Sequence, residues 1–211
     1  MKHLELVDRV YLKIKQMIFD QQLLPGQKLV QEKLSAELGI SRSPLLKALE
    51  KLESELLIEK IPRRGMFVKE MTLKEIIDVF QCRAVLEGLS ARLAAFRITT
   101  EQIQKLKAIF EPFIGKKRVG AEVYAEADRA FHNYIMQWSQ NAAILRLEVL
   151  SNIHLKAYQA GLLRPPKDTM GEHLAIIDAL AEKNGPLAET LMKEHIEKSV
   201  AALKRRKESV G

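Results

Sequence analysis

The sequence predicts a mainly α-helical chain in two modules: a small N-terminal unit of three helices with a two-stranded wing, then an all-α bundle of about six helices. Three observations predict it. Between Ser41 and Val68 a short amphipathic run leads into two β-prone pieces that flank a basic turn, Pro62-Arg63-Arg64-Gly65. From Thr72 onward apolar residues recur at helical spacing throughout. The change of pattern near Glu70 divides residues 1–71 from residues 72–211.

Taken in order, Val7, Val10, Tyr11, Ile14, Met17 and Ile18 recur at helical spacing and predict an opening helix over 4–22. Leu24-Pro25-Gly26 is a turn signal. A short helix runs from Gln31 to Leu38, with Gly39 placed just after its C-terminus. Ser41 is the expected cap of a third helix whose first turn tolerates Pro44. Leu57 to Lys60 and Met66 to Lys69 are the expected strands of the wing. In the bundle, helices are predicted at about 72–96, 100–115, 120–138, 141–160, 169–183 and 186–207, separated by Gly-, Pro-, Ser-, Thr- and Asn-containing breaks.

Composition narrows the partners. The net charge of +7 suits a polyanion, but residues 1–71 hold 13 Lys/Arg against 10 Asp/Glu, so where the charge lies matters more than its sum. No segment approaches the roughly 18 consecutive apolar residues of a membrane span, and the charged start, MKHLELVDRV, does not read as a signal peptide. The single cysteine, Cys82, excludes an internal disulfide framework and fits a reducing compartment. A cytoplasmic protein without a membrane partner is expected.

Helix, strand, basic turn, strand is the layout of a winged helix-turn-helix, which places one helix in the DNA major groove and a cationic hairpin beside it. Arg42, Ser43 and Lys47 stand near the start of the third helix, where side chains reach base edges and phosphates. Arg63 and Arg64, with Gly65 permitting close approach, suit phosphates or the minor groove. The plainer alternative is a helix with a solvated charged face.

The same stretch resembles the GntR family of bacterial transcription regulators. Its members read S-R-T-P-V-R-E-A-L-x-x-L-E-x-E-G-L-V-E, then x-x-P-x-R-G-x-x-V. Ser41, Arg42, Pro44, Ala48, Leu49, Leu52, Glu53, Glu55, Leu57, Glu59, Pro62, Arg64, Gly65 and Val68 match without a gap. Leu24-Pro25-Gly26 and Leu38-Gly39-Ile40 stand where the family has L-x-P-G and L-G-V. The departures are as informative. Glu32 and Leu46 occupy positions where the family often has Arg, and Leu56 replaces a glycine just before the wing. Lys33 and Lys47, beside the lost arginines, are candidates to compensate.

The bundle carries a polar cluster in apolar stripes. Tyr124, Asp128, Phe131, His132 and Ile135 share one helical face, with Asp128 and His132 one turn apart. His173 lies with Ile176, Ile177 and Leu180, and His195 with Leu191 and Met192. An unpaired buried carboxylate is expensive, and one divalent metal would satisfy all four polar groups. A hydrogen-bonded Asp128–His132 core pair remains the alternative on spacing alone.

Residues 72–205 are similar to the FCD ligand-binding domain of the FadR-type branch of the GntR family. Its D-x-x-x-H element is similar to Asp128 to His132. Its E-H-x-x-I-x-x-A-L element matches Glu172, His173, Ile176, Ala179 and Leu180, and its C-terminal H-I/L matches His195-Ile196. The resemblance implies zinc, nickel or manganese on Asp128, His132, His173 and His195, with solvent or effector completing the shell. Arg83 and Glu87 resemble the family's R-x-x-L-E. Arg83 is suited to a bidentate hold on an effector carboxylate, unless Glu87 alone occupies it. Asn152 and His154 are weaker effector candidates.

The resemblance therefore implies a homodimeric transcription repressor that binds a roughly palindromic double-stranded operator and responds to a small organic or sugar acid. Two alternatives stand beside it. A metal-dependent enzyme would need a general base that is not a ligand, and Glu172 is the nearest candidate. An effector-independent DNA binder with a structural metal would show no ligand response.

Overall fold

The computed structural model describes residues 2–116, 118–151, 157 and 162–208. The chain forms two compact units, Met1–Thr72 and Leu73–Gly211. Nine α-helices and a three-stranded sheet occur among the described residues.

In the first unit, α1 (Lys2–Phe19) packs on α3 (Arg42–Ser54), with α2 (Gln31–Leu38) between them in sequence. Val10, Tyr11, Ile14, Met17 and Ile18 of α1 are buried, as are Leu45, Ala48, Leu49 and Leu52 of α3. The Tyr11 hydroxyl donates to Glu55 at 2.7 Å, and Lys15 Nζ reaches the same carboxylate at 3.0 Å. Burial, then the Glu55 carboxylate, pushes the Tyr11 hydroxyl well above the ordinary phenol range.

The helix predicted to run to residue 22 stops at Phe19. Gln21 turns to φ 55°, and Gln22 N–H bonds back to Met17 at 2.9 Å. Ser41 occupies the N-cap of α3, yet its side chain makes no capping bond. A capping oxygen accepts from the second or third helical N–H, and the third residue here is Pro44, which has none.

The wing strands are β2 (Ile58–Ile61) and β3 (Gly65–Val68), antiparallel with Ile58 opposite Val68 and Ile61 opposite Gly65. A two-residue β1 (Lys28–Leu29), too short for a periodic signal, pairs with the other edge of β3 through Lys28–Phe67 and Leu29–Met66. The sheet order is β1-β3-β2.

The second unit contains α4 (Leu73–Ala95), α5 (Thr100–Phe110), α6 (Ala121–Trp138), α7 (Ala142–Ser151), α8 (Pro166–Ala181) and α9 (Gly185–Glu208). Its most extensive packing is α4 on α9, where buried Ala84, Ala91 and Ala95 on α4 allow close approach. α6 packs on α4, while α8 meets α5 and α9. Phe110, Tyr124, Phe131, Ile135, Ile176 and Leu180 fill the centre.

Three predicted boundaries move. α5 gives way after Phe110 to a 3-10 turn, Glu111–Phe113, because Pro112 cannot donate the next helical hydrogen bond. α8 starts at Pro166, three residues earlier than predicted, since proline is tolerated in a first turn. Of the helix predicted over 141–160, Ala142–Ser151 is α7, and most of the remainder falls outside the described residues. No helix among the described residues is long and apolar enough to cross a membrane.

Candidate functional site

Asp128 and His132 project from α6, His173 from α8 and His195 from α9. One ligand-type atom from each lies within 4.8 Å of the other three. The i, i+4 spacing puts Asp128 and His132 on one helical face, and the buried stripes turn the three imidazoles inward. His173 is stacked against Phe110 with ring centroids 4.6 Å apart, and His132 stacks on His195 at 5.3 Å. Packing thus restricts the rings before any ligand binds.

Each histidine uses its Nδ1 outward. His132 Nδ1 bonds Glu87 Oε2, His195 Nδ1 bonds Glu172 Oε2 at 2.8 Å, and His173 Nδ1 meets the Tyr124 hydroxyl at 3.1 Å. The Tyr124 hydroxyl is in turn 2.9 Å from Thr169 Oγ1. Carboxylate partners fix the Nδ1–H tautomer of His132 and His195, so each presents an Nε2 lone pair to the centre.

Two of those Nε2 atoms, on His132 and His173, are buried without a hydrogen-bond partner. The Asp128 carboxylate faces both, 3.8 Å from His132 Nε2 and 3.2 Å from His173 Nε2, without hydrogen-bond geometry. Buried polar atoms are seldom left unsatisfied. Three imidazole nitrogens and a carboxylate oxygen fit a borderline divalent cation. A bound cation there would supply counter-charge for Asp128 and open positions for an oxygen ligand.

The electrostatics favour deprotonated Asp128, His173 and His195. Burial alone would raise the Asp128 carboxyl, but His132, His173 and His195 hold it below the usual range. Burial, reinforced by neighbouring His195, pushes His173 down to about 3. His195 is also lowered, chiefly by burial. Although burial opposes it, Glu172 stays well below the usual carboxylate range because His195, Arg164 and Lys198 all donate to it.

A cavity of about 50 Å³ opens onto Asp128, His132 and His195, with Arg83, Arg129 and Arg164 in its wall. Of the two partners foreseen for Arg83, the structure shows Glu87. The Arg83 Nε donates to Glu87 at 2.5 Å, its guanidinium lies over Phe80, and no bond among the described residues uses its terminal nitrogens. Arg164 is occupied differently, forking onto Glu172 at 2.7 and 2.9 Å and reaching the Asp168 carbonyl. Asn152 and His154 lie outside the described residues.

Sequence reasoning missed this outer layer. Tyr124 and Thr169 stand four residues before Asp128 and His173 on the same helical faces, a legible signal. The roles of Glu87 toward His132, and of Glu172 and Arg164 toward His195, depend on contacts between distant segments and leave no local pattern.

In the first unit Lys33, Arg42, Ser43, Lys47, Arg63, Arg64 and Gly65 are all exposed. Arg42, Ser43 and Lys47 lie in the first half of α3, Lys33 lies on α2, Arg63 and Arg64 lie in the β2–β3 turn, and Gly65 opens β3. That turn requires φ 62° at Arg63 and 104° at Gly65. Arg64 also lies 5.4 Å from the Phe67 ring.

Comparison with known proteins follows the same division. Residues 6–68 match the bacterial regulatory proteins of the gntR family, and residues 78–198 match the FCD domain. The chain belongs to the GntR family and carries an FCD domain. It is 28% identical over 190 residues to an HTH-type transcriptional regulator in an unstable DNA locus of Streptomyces ambofaciens, covering 89% of this chain and 80% of that protein. It is 26% identical to the HTH-type transcriptional repressor RspR of Escherichia coli, covering 83% of this chain and 78% of that protein. The fold is shared with E. coli McbR/YncC, at a TM-score of 0.76 and 20% identity, over 96% of this chain and 98% of that one. Family and relatives are transcription regulators, so this GntR-family protein is a DNA-binding regulator and the enzyme alternative falls.

Proposed function

We propose that the protein is a cytoplasmic, homodimeric repressor whose affinity for a roughly palindromic operator is set by a small organic or sugar acid bound in the second unit. Lys33, Arg42, Ser43, Lys47, Arg63, Arg64 and Gly65 form its DNA-contacting face. Asp128, His132, His173 and His195 hold a divalent transition metal, with zinc, nickel and manganese all suited to this donor set. The Arg83 guanidinium, anchored through Nε, offers its terminal edge to the effector carboxylate. Asn152 and His154 are further candidate effector contacts.

The observation carrying this reading is the pair of buried, unbonded Nε2 atoms on His132 and His173 facing Asp128. A polar core built for stability alone would have closed those bonds. An effector that prefers one arrangement of the protein shifts DNA affinity by its differential binding to the two.

The test begins with elemental analysis of untagged protein purified without chelator, beside a His132→Ala/His173→Ala control. About one transition metal per chain, absent from the control, supports the centre. Folded protein that takes up no metal on reloading refutes it. DNA binding is then titrated with a panel of small carboxylates. A response lost in Arg83→Lys supports the effector site, while metal retention with no response to any acid would favour the effector-independent binder.

A further inference from the structure

We propose that Glu32, together with Gln31, is a positioning residue that aims the Arg42 guanidinium at a base edge and so sets which base the first unit selects. This rests on the reading of Arg42 as a base contact. The first turns of α2 and α3 meet at this guanidinium. Gln31 Oε1 accepts from Arg42 Nε and Nη2, each at 3.3 Å, and Glu32 Oε1 lies 3.8 Å from Nη2. Gln31 Nε2 is itself 4.0 Å from Met66 Sδ on β3. β3 thus touches Gln31, and the first turn of α2 in turn contacts the Arg42 guanidinium of α3.

That placement is not explained by stability. The Arg42 and Glu32 side chains are 67% and 74% exposed, and exposed ion pairs contribute little to folding. It is also adverse for unspecific binding, because a carboxylate beside the DNA-contacting cations repels phosphate. What the acceptors supply is orientation. With Nε and one side of Nη2 engaged, no bond among the described residues uses Nη1, which leaves the outer Nη1–Nη2 edge available to donate. Such a guanidinium edge donates two parallel N–H groups, the pattern that matches guanine O6 and N7. Restricting the side chain beforehand also reduces the ordering it must undergo on DNA.

The experiment selects duplexes from a random-sequence pool with the full-length protein and with Arg42→Lys, Glu32→Gln and Gln31→Ala. Arg42→Lys identifies the base pair that Arg42 reads, expected to be G·C. At that position Glu32→Gln should weaken the preference about tenfold, within the range of a lost bidentate contact. It should meanwhile bind unselected duplex more tightly, because a negative charge has gone. Gln31→Ala should weaken the same position. If Arg42→Lys erases a preference that Glu32→Gln and Gln31→Ala leave intact, positioning is overturned while the base contact stands. If Arg42→Lys alters no position, the base contact itself fails, and the proposal fails with it.

Discussion

In the first unit the polar side chains assigned to DNA stand exposed on two helices and a turn, whereas in the second the polar residues are folded into the core. Arg83, Glu87, His132, His173 and His195 are all buried. The contrast separates two relations between function and folding. Exposed cations contribute little to stability, so the first unit can change its DNA contacts without risking its apolar core of Leu45, Leu49 and Leu52. In the second unit the same atoms serve packing and charge balance and are the ones proposed to bind metal and effector, so a change there is expected to alter folding and function together.

The contrast breaks most visibly at Arg83. Its guanidinium is the direct cationic partner of Glu87, which also holds His132. Replacing Arg83 with Met keeps much of the volume and leaves a buried carboxylate without its cation. Truncating one member of a buried pair is strongly destabilising, so metal-free protein should lose about 3 kcal/mol in equilibrium urea unfolding. Arg42→Met, the matched change on the exposed side, should alter stability by less than about 0.5 kcal/mol. Equal effects would erase the distinction between the units.

A finer division lies within the candidate metal site, between carboxylate and phenol partners of the histidines. Outer partners of metal-bound imidazoles typically govern affinity by about ten- to a hundredfold. Glu87→Gln and Glu172→Gln should each weaken metal binding by about that much in competition with a chromophoric chelator. Tyr124→Phe should cost less, because a neutral hydroxyl polarises His173 more weakly than a carboxylate does its imidazole. The exposed Glu194→Gln serves as control. A larger loss in Tyr124→Phe than in either carboxylate variant would show that ring packing, rather than partner charge, tunes the site.

The two units also differed in legibility. The residues assigned to DNA fall within 33 to 65, so helix spacing, a turn and a basic tetrapeptide were enough to place them on surface elements. Asp128 and His132 were equally local, one turn apart on α6. His173 and His195 had only their apolar stripes to indicate that they face inward, and the family pattern joined them to the others. The carboxylate part of the outer layer was illegible because Glu87 meets His132 across 45 positions and Glu172 meets His195 across 23. Such pairings arise from helix packing, not from period. In the first unit the corresponding failure was β1, where two residues are ordered by the β3 edge they pair with.

The smallest effect concerns backbone rather than side chains, and it sharpens the idea that the first unit tolerates local change. Its three helices end in the same way. Gln22, Ile40 and Leu57 bond back to the carbonyls of Met17, Ser35 and Leu52, while Gln21, Gly39 and Leu56 take φ of 55°, 65° and 57°. Only Gly39 adopts that left-handed conformation without a Cβ clash. Leu56 is the costliest of the three, as a large apolar side chain that is also 59% exposed and recovers little by burial. Leu56→Gly relieves a strain of about 1–2 kcal/mol, partly offset by the greater freedom of glycine in the unfolded chain. A net gain of about 1 kcal/mol is expected. It should appear as slower amide hydrogen exchange across α3 in the full-length protein, with α8 amides as the internal reference. Gly39→Leu should accelerate exchange in α2 by a comparable factor, since it places the same side chain in the same turn. If Leu56→Gly instead speeds exchange in α3, the contacts of the Leu56 side chain outweigh its backbone strain.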